Sequence, residues 1–301
     1  MDRELKRPTT IEELLVSLSG FSTDQSRQNG LDYLPSSTDI FIATYPKCGT
    51  TWMQQLVHCL RTRGDMDFGE ITNAVPWLEM SRLLGVDNNV TQKSRPQCFK
   101  SHFSWSDIPK GGRYIHVTRN PESVLLSFYR FFEGWFFEPG SIDLDTFAEH
   151  LFFKGSGSGL YWDHINEWWP VRDRKDVLFL CYENMIKDPA SLIKSVAGFM
   201  EIDLDDQLLE ITLRNSSVDF MRKHASQFDD HLIRLARDSA CGLPEGGMSS
   251  KISLSAQDRF KTVLSPSTRD KLDQIWKERV TAVTGLDCYD KLLSKSVSGV
   301  R

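Results

Sequence analysis

Short apolar runs along the chain alternate with stretches whose apolar positions recur every three to four residues. Residues 39–44 read as a strand, and residues 50–61 as the helix after it. Residues 97–101 are a short strand. Residues 113–118 (RYIHVT) are another, followed by a helix over 121–132. Residues 177–182 (VLFLCY) read as a buried strand and 188–200 as a helix. This alternation predicts an α/β fold: one domain with a central parallel β-sheet and helices on both faces. In such folds ligands bind beyond the carboxyl ends of the strands. Upstream, Thr10 and Glu13 form a capping box ahead of Leu14, Leu15 and Leu18, which predicts a surface helix. Residues 155–159 (GSGSG) and 238–255 read as loops, and 284–301 as a polar tail that frays. No repeat or long linker interrupts the chain. A single domain is expected over 1–301, with its core at about 30–285 and both ends peripheral.

The chemistry concentrates in the turn between the first strand and the first long helix, Thr44-Tyr45-Pro46-Lys47-Cys48-Gly49-Thr50-Thr51-Trp52. Lys47 can reach a charged oxygen, and Gly49 lets the backbone approach a phosphate. Thr50 and Thr51 stand at a helix N-terminus, where N–H groups and the helix dipole attract anions. Trp52 offers a flat face to a purine. The common nucleotide P-loop needs a Gly followed directly by Lys and then Ser or Thr, and here the Lys comes first.

Three further groups follow strands. Lys100 and His102 lie two residues apart at the end of a strand, hence on one face. A cation beside an imidazole keeps it neutral, which suits a base. In Val117-Thr118-Arg119-Asn120-Pro121, the Asn-Pro pair ends a strand and starts a helix. Ser127 then lies about two turns along that helix from Arg119, so a guanidinium and a hydroxyl can converge on one phosphate. Tyr182-Glu183-Asn184 follows the VLFLC strand, and Ser216-Ser217-Val218 lies further along the chain.

Composition narrows the classes. The 301 residues carry a formal net charge of −5, which argues against a general nucleic-acid binder. The six cysteines form no C-x-x-C pair and no zinc spacing, and read as reduced thiols of the cytoplasm. No metal-ligand cluster is apparent. The first residues lack a signal pattern, and no window approaches the ~18 apolar residues of a membrane span.

Residues 44–52, 98–103 and 117–129 resemble the cytosolic sulfotransferases, which use 3′-phosphoadenosine-5′-phosphosulfate (PAPS). The likeness extends over about 30–285. It implies a P-loop-like phosphosulfate loop formed by Lys47, Cys48 (Ser in most members), Gly49, Thr50, Thr51 and Trp52. It implies His102 as general base, with Lys47, Lys100 and Ser127 as its catalytic companions. Arg119 and Ser127 would take the 3′-phosphate, and Tyr182 and Ser216 the adenine end. Val218 stands where the family has a Phe over the adenine. The family's Arg-Lys-Gly loop near the C-terminus is replaced by Ser253-Leu254-Ser255, with Lys251, Arg259 and Lys261 nearby; Lys251 is carried as a cofactor candidate. Trp77, Met80, Phe103, Phe131 and Trp135 would line a pocket for a small hydrophobic acceptor. A homodimer is possible, but the family's dimer motif is poorly matched by Lys261, Ser265, Pro266 and Asp270.

The expected reaction is transfer of a sulfuryl group from PAPS to a hydroxyl or amine, by positioning and fixed cations and without a metal. A competing reading is a kinase-like phosphotransferase, which needs a Gly-Lys-Ser/Thr loop and a metal-binding Asp. Another is a non-catalytic binder of adenosine bisphosphate, suggested by Val218 and the altered C-terminal loop.

Overall fold

The computed structural model describes residues 5–155, 157–248 and 264–296. Four strands form one parallel sheet: β1 (Ile40–Thr44), β2 (Cys98–Ser101), β3 (Arg113–Thr118) and β4 (Val177–Cys181), in the order β2-β1-β3-β4. Ile42 lies beside Lys100 on one side and Ile115 on the other. The chain therefore leaves β1 toward β2, then crosses back to place β3 on β1's other flank. Beyond the carboxyl end of β1 the connections diverge, which is where a parallel sheet opens a crevice.

Period-2 alternation sends β1 side chains to two different cores. Ile40 and Ile42 pack with Met53, Leu56, Val57 and Leu60 of α3 (Thr50–Thr62) and with Ile193 and Val196 of the helix Pro189–Met200. Phe41 and Ala43 pack on the opposite face with Phe99, Tyr114 and Trp168. Burial on both faces explains why this strand is an unbroken apolar run. A third, largely aromatic core gathers around α5 (Pro121–Trp135), with Phe128, Phe132, Phe147 and Trp162. The α5 N-terminus is built as its sequence requires. Asn120 Oδ1 accepts from the Ser123 N–H at 3.2 Å, and Pro121 occupies the first turn, where a missing N–H costs nothing. The helix runs past the expected Phe132 to Trp135.

The short α4 (Ile71–Ala74) leads into a segment that extends the sheet beyond β2. Trp77 bridges Lys100 in parallel, the Lys100 N–H donating to Pro76 O and the Leu78 N–H to Lys100 O, both at 2.8 Å.

Four expectations need correction. In β4 only Val177 and Cys181 are buried; residues 178–180 are half-buried, because β4 ends the sheet order among the described residues. Tyr182 opens the helix Tyr182–Lys187 instead of closing the strand. The N-terminal helix α1 (Ile11–Ser19) has the predicted capping box, yet it is no mere surface helix: Leu14 is 0% exposed, in the aromatic core. The polar-looking end likewise folds back. Leu286 and Leu292 are buried, and the Tyr289 hydroxyl of helix Tyr289–Ser296 donates to Glu183 Oε2 at 2.6 Å. Its apolar positions recur at helical spacing and find an apolar surface to cover.

Candidate active site

The turn after β1 has a constrained backbone. Lys47 has φ 70°, a left-handed conformation uncommon outside glycine, and Gly49 has φ 100°. A Cβ on Gly49 would lie 2.7 Å from the Tyr182 ring, so the turn needs glycine for its dihedral and for space. The turn is fastened from two sides. The Thr44 and Thr50 hydroxyls are 2.6 Å apart, and Arg119 Nη1 donates to Lys47 O at 3.0 Å. Gly49 is the N-cap of α3 and supplies no side chain, so the first N–H groups of this helix have no side-chain cap. A helix start of this kind, with the positive end of the dipole behind it, is suited to an anion.

Around this turn lies a cavity of about 970 Å³. It is lined by Lys47, Gly49, Thr50, Thr51 and Trp52 from the turn and α3, and by Trp77, Met80, Lys100, His102 and Phe103 from the β2 side. Arg119, Ser127, Phe131 and Trp135 enter from the β3–α5 side, and Tyr182 and Ser216 close the other end. Nearly all the sequence-predicted site residues thus share one space. Cys48 does not line it: its side chain is fully buried in the aromatic core, and burial pushes its thiol pKa up. A neutral sulfur facing inward cannot contact an anion by its side chain. Lys251 lies outside the described residues, as do Ser253, Leu254, Ser255, Arg259 and Lys261.

The cavity has two characters. At one end Arg119 stacks its guanidinium 4.5 Å above the Tyr182 ring, and Trp52 meets Tyr182 edge-on at 5.9 Å. Ser216 donates to Thr212 O at 2.6 Å, and Val218 is 54% exposed. At the other end aromatic rings dominate. Trp135 stacks on Phe136, and Phe21 meets Trp77 and Trp135. Leu15, Leu18 and Phe21 reach the same end, so the N-terminal segment helps form its wall.

Between these ends sits His102. Its Nδ1 is 2.8 Å from the backbone carbonyl of Thr44. A carbonyl can only accept, so a proton resides on Nδ1, and in the neutral ring the lone pair is on Nε2. Two groups that sequence reasoning missed hold the backbone of His102 in place. Glu79 Oε1 accepts from the His102 N–H at 2.5 Å and from the Ser101 hydroxyl at 3.1 Å. Burial pushes the Glu79 pKa up, opposed by those same hydrogen bonds. His164 Nε2 lies 3.1 Å from His102 O, and burial pushes its pKa down to about 4. A carboxylate inside the apolar run VPWLEM was the available signal for Glu79. Two lysines complete the centre: Lys47 Nζ lies 4.0 Å from the Phe131 ring centroid, and Lys100 Nζ 3.8 Å from that of Trp77. Trp77 also meets the His102 ring edge-on at 5.1 Å.

The arrangement offers an anion cradle, aromatic faces for stacking, an imidazole whose Nδ1 is engaged by a carbonyl, two cations and an apolar pocket. Among the described residues no cluster of His, Cys, Asp and Glu could hold a metal ion, and no helix is long and apolar enough to cross a membrane.

Comparison with known proteins shows what the chain as a whole is similar to. The family model for the sulfotransferase domain matches residues 37–284. Sulfotransferase 1B1 of dog (Canis lupus familiaris) is 27% identical over 260 residues, covering 82% of this chain and 84% of its own. The amine sulfotransferase of rabbit (Oryctolagus cuniculus) is 31% identical over 201 residues, 64% of this chain and 65% of its own. Among solved structures, mouse sulfotransferase SULT7A1 complexed with PAP aligns with a TM-score of 0.64 and 18% identity, over 91% of this chain and 94% of that one. Retinol dehydratase in complex with androsterone and PAP aligns with a TM-score of 0.67 and 17% identity, over 91% and 95%. Those two structures share the fold, and the family model spans most of the sequence: the chain belongs to the sulfotransferase family.

Proposed function

We propose that this enzyme transfers the sulfuryl group of PAPS to the hydroxyl or amine of a small, largely apolar acceptor. The observation that carries the reading is the position of His102, whose Nδ1 is committed to Thr44 O while the ring lines the same cavity as the α3 N-terminus, Lys47 and Lys100. The residues fit the donor. The Gly49 turn accepts only a residue without a Cβ, and the cradle opens on the α3 N-terminus. In this reading Thr50, Thr51 and the first α3 N–H groups hold the 5′-phosphate. Arg119 and Ser127 take the 3′-phosphate, and Trp52, Tyr182 and Ser216 the adenine.

PAPS supplies an activated sulfuryl group on a good leaving phosphate. His102 Nε2 accepts the proton of the acceptor, whose oxygen or nitrogen then forms the new bond to sulfur. The bond from sulfur to the 5′-phosphate oxygen breaks, and its electron pair stays on that oxygen. Lys47 and Lys100 offset the charge that develops there. A sulfuryl group carries less charge than a phosphoryl group, so fixed cations suffice. Trp77, Met80, Phe103, Phe131 and Trp135 bury the acceptor and exclude water. The reduced cysteines fit a cytoplasmic enzyme.

Calorimetry with 3′,5′-adenosine bisphosphate tests the cradle. Labelled PAPS with phenol, sterol, amine and alcohol acceptors tests transfer. Binding with transfer to an apolar acceptor supports the proposal. Binding without transfer to any of them sinks it in favour of a nucleotide-binding relative without catalysis.

A further inference from the structure

We propose that Tyr289, on the helix that folds back near the end of the chain, is a positioning residue for Arg119, and that it sharpens the preference for adenine nucleotides that carry a 3′-phosphate. The inference rests on the sulfotransferase reading above, in which Arg119 takes that phosphate. It starts from one peptide unit. The Arg119 carbonyl and the Asn120 N–H share a peptide plane, and each is bonded to a side chain from another part of the fold. The Tyr161 hydroxyl donates to Arg119 O at 2.5 Å, and the Asn120 N–H donates to Glu183 Oε1 at 2.9 Å. Just beyond, Pro121 restricts Asn120, which sits at φ −48° and ψ 128°. The peptide from which the Arg119 side chain departs is therefore held on both edges.

The guanidinium has two contacts of its own. Nη1 donates to Lys47 O at 3.0 Å, and the group lies 4.5 Å from the centre of the Tyr182 ring. Its Nε is buried and has no hydrogen-bond partner among the described residues. A buried donor of this kind gains most from an anion in the guanidinium plane, and that gain depends on the direction in which the plane points. Whatever fixes the Arg119 backbone therefore sets how well a phosphate is met.

Glu183 joins this peptide to the last described helix. Its Oε1 accepts from Asn120, and its Oε2 accepts from the Tyr289 hydroxyl at 2.6 Å. One bond places the carboxylate, and the second stops it from rotating. Tyr289 is buried, with its ring edge-on to Trp276 at 6.0 Å, and Leu292 of the same helix is buried as well. Next along the chain, Asn184 Nδ2 donates to the Ser296 hydroxyl at 3.2 Å. Helix Tyr289–Ser296 thus grips two consecutive residues of helix Tyr182–Lys187, whose first residue supplies the ring beside Arg119. Neither Glu183 nor Tyr289 is among the described residues that line the cavity, so the Tyr289 hydroxyl reaches a nucleotide by way of Glu183 and Arg119. The 5′ cradle keeps separate fastenings in Gly49 and the paired Thr44 and Thr50 hydroxyls. Loss of the Tyr289 hydroxyl should accordingly be felt at the 3′-phosphate and spare the rest of the nucleotide.

The test is calorimetry on the full chain with two probes, 3′,5′-adenosine bisphosphate and 5′-AMP. Tyr289→Phe keeps the ring beside Trp276 and removes only the hydroxyl. It should bind the bisphosphate about 3- to 10-fold more weakly than wild type and 5′-AMP within about twofold. A merely structural loss weakens both nucleotides together. In an Arg119→Ala background the same substitution should change neither affinity, because the residue through which it acts is gone. Glu183 gives a second route to the same answer. Glu183→Ala should match or exceed the Tyr289→Phe loss, and Glu183→Gln, which keeps an acceptor for Asn120 and a partner for Tyr289, should return to within about twofold of wild type. In turnover, the KM for PAPS should rise in Tyr289→Phe with kcat held, since the 3′-phosphate is remote from the sulfur. Equal weakening of both probes overturns the inference. So does an undiminished preference in Tyr289→Phe and Glu183→Ala, or a Tyr289 effect that persists in full without Arg119. Any of these, with a wild type that prefers the bisphosphate and transfers sulfuryl groups, leaves the parent reading standing; a wild type that binds the bisphosphate no better than 5′-AMP overturns both.

Discussion

The Nδ1 of His102 donates to the backbone carbonyl of Thr44, the last residue of β1, at 2.8 Å. This bond connects the ring proposed above as general base to the strand that launches the turn of the proposed anion cradle. One strand end therefore fixes both the tautomer of the imidazole and the entry of the cradle. His102→Ala should lower kcat by about 10²- to 10⁴-fold, the usual worth of a general base. The affinity for adenosine bisphosphate should stay within a few-fold of wild type, because the ring belongs to the middle of the cavity and not to the cradle. Steady-state kinetics together with calorimetry read both quantities; near-normal turnover in this variant defeats the assignment.

Gly49 gives a prediction of a different kind. Its φ of 100° strains any side chain, and a Cβ there meets the Tyr182 ring at 2.7 Å. Gly49→Ala should cost about 1–3 kcal/mol, from backbone strain and the forced shift of the ring. Tyr182 and the turn bound the same end of the cavity, so the loss should appear in nucleotide affinity, by about 5- to 150-fold. Tyr182→Ala in the same chain removes the clash and leaves the dihedral strain, so it should recover only part of the stability. Chemical denaturation of the two single variants and the double variant checks this. Full additivity of the single losses contradicts it.

What could be read from the sequence were features that follow from local order. The turn 44–52 stands between a strand and a helix, and Arg119 and His102 stand just beyond strand ends, so the parallel-sheet rule brings them to one crevice. The capping box of Thr10 and Glu13 and the Asn120-Pro121 helix start are likewise short-range. The features that escaped depend on placement in three dimensions. Cys48 occupies a position in the turn that suggests anion contact, but the dihedrals of Lys47 and Gly49 turn its side chain into the core. Glu79 lies 23 positions from His102 in sequence and meets it only because the Trp77 segment pairs with β2. Leu15, Leu18 and Phe21 reach the cavity wall because α1 docks its Leu14 face on the aromatic core, which no periodicity in the helix itself reveals.

Glu79 carries its own prediction. Its Oε1 receives both the His102 N–H and the Ser101 hydroxyl. Glu79→Ala strands those donors in a half-buried place, at a cost of about 1–3 kcal/mol in stability. It also loosens the backbone that presents the imidazole, so kcat should fall about tenfold or more while nucleotide affinity holds. Glu79→Gln retains a carbonyl oxygen for the same donors and should stay much closer to wild type. If the Gln variant falls as far as the Ala variant, the negative charge and not the hydrogen bonding is what Glu79 contributes.

Acid should destabilise the fold through buried imidazoles. His164 is buried and bonded to His102 O, and His58 is buried with its Nε2 3.0 Å from Asp65 O. Burial pushes the pKa of each from 6.5 down to about 4. His116, stacked between His164 and Phe179, is displaced downward for the same reason. A folded-state pKa below the unfolded value means that the unfolded chain binds more protons between the two. Stability is therefore fully present above pH 6.5 and falls as pH drops from 6.5 toward 4. For His164 the loss is ~3 kcal/mol across that window. Urea denaturation at steps from pH 7.5 to 4.5 should show the decline, with a shallower slope in His164→Gln, which cannot take up the proton. Parallel slopes for the two proteins show that His164 is not among the groups responsible, and would place the acid sensitivity on His58 and His116.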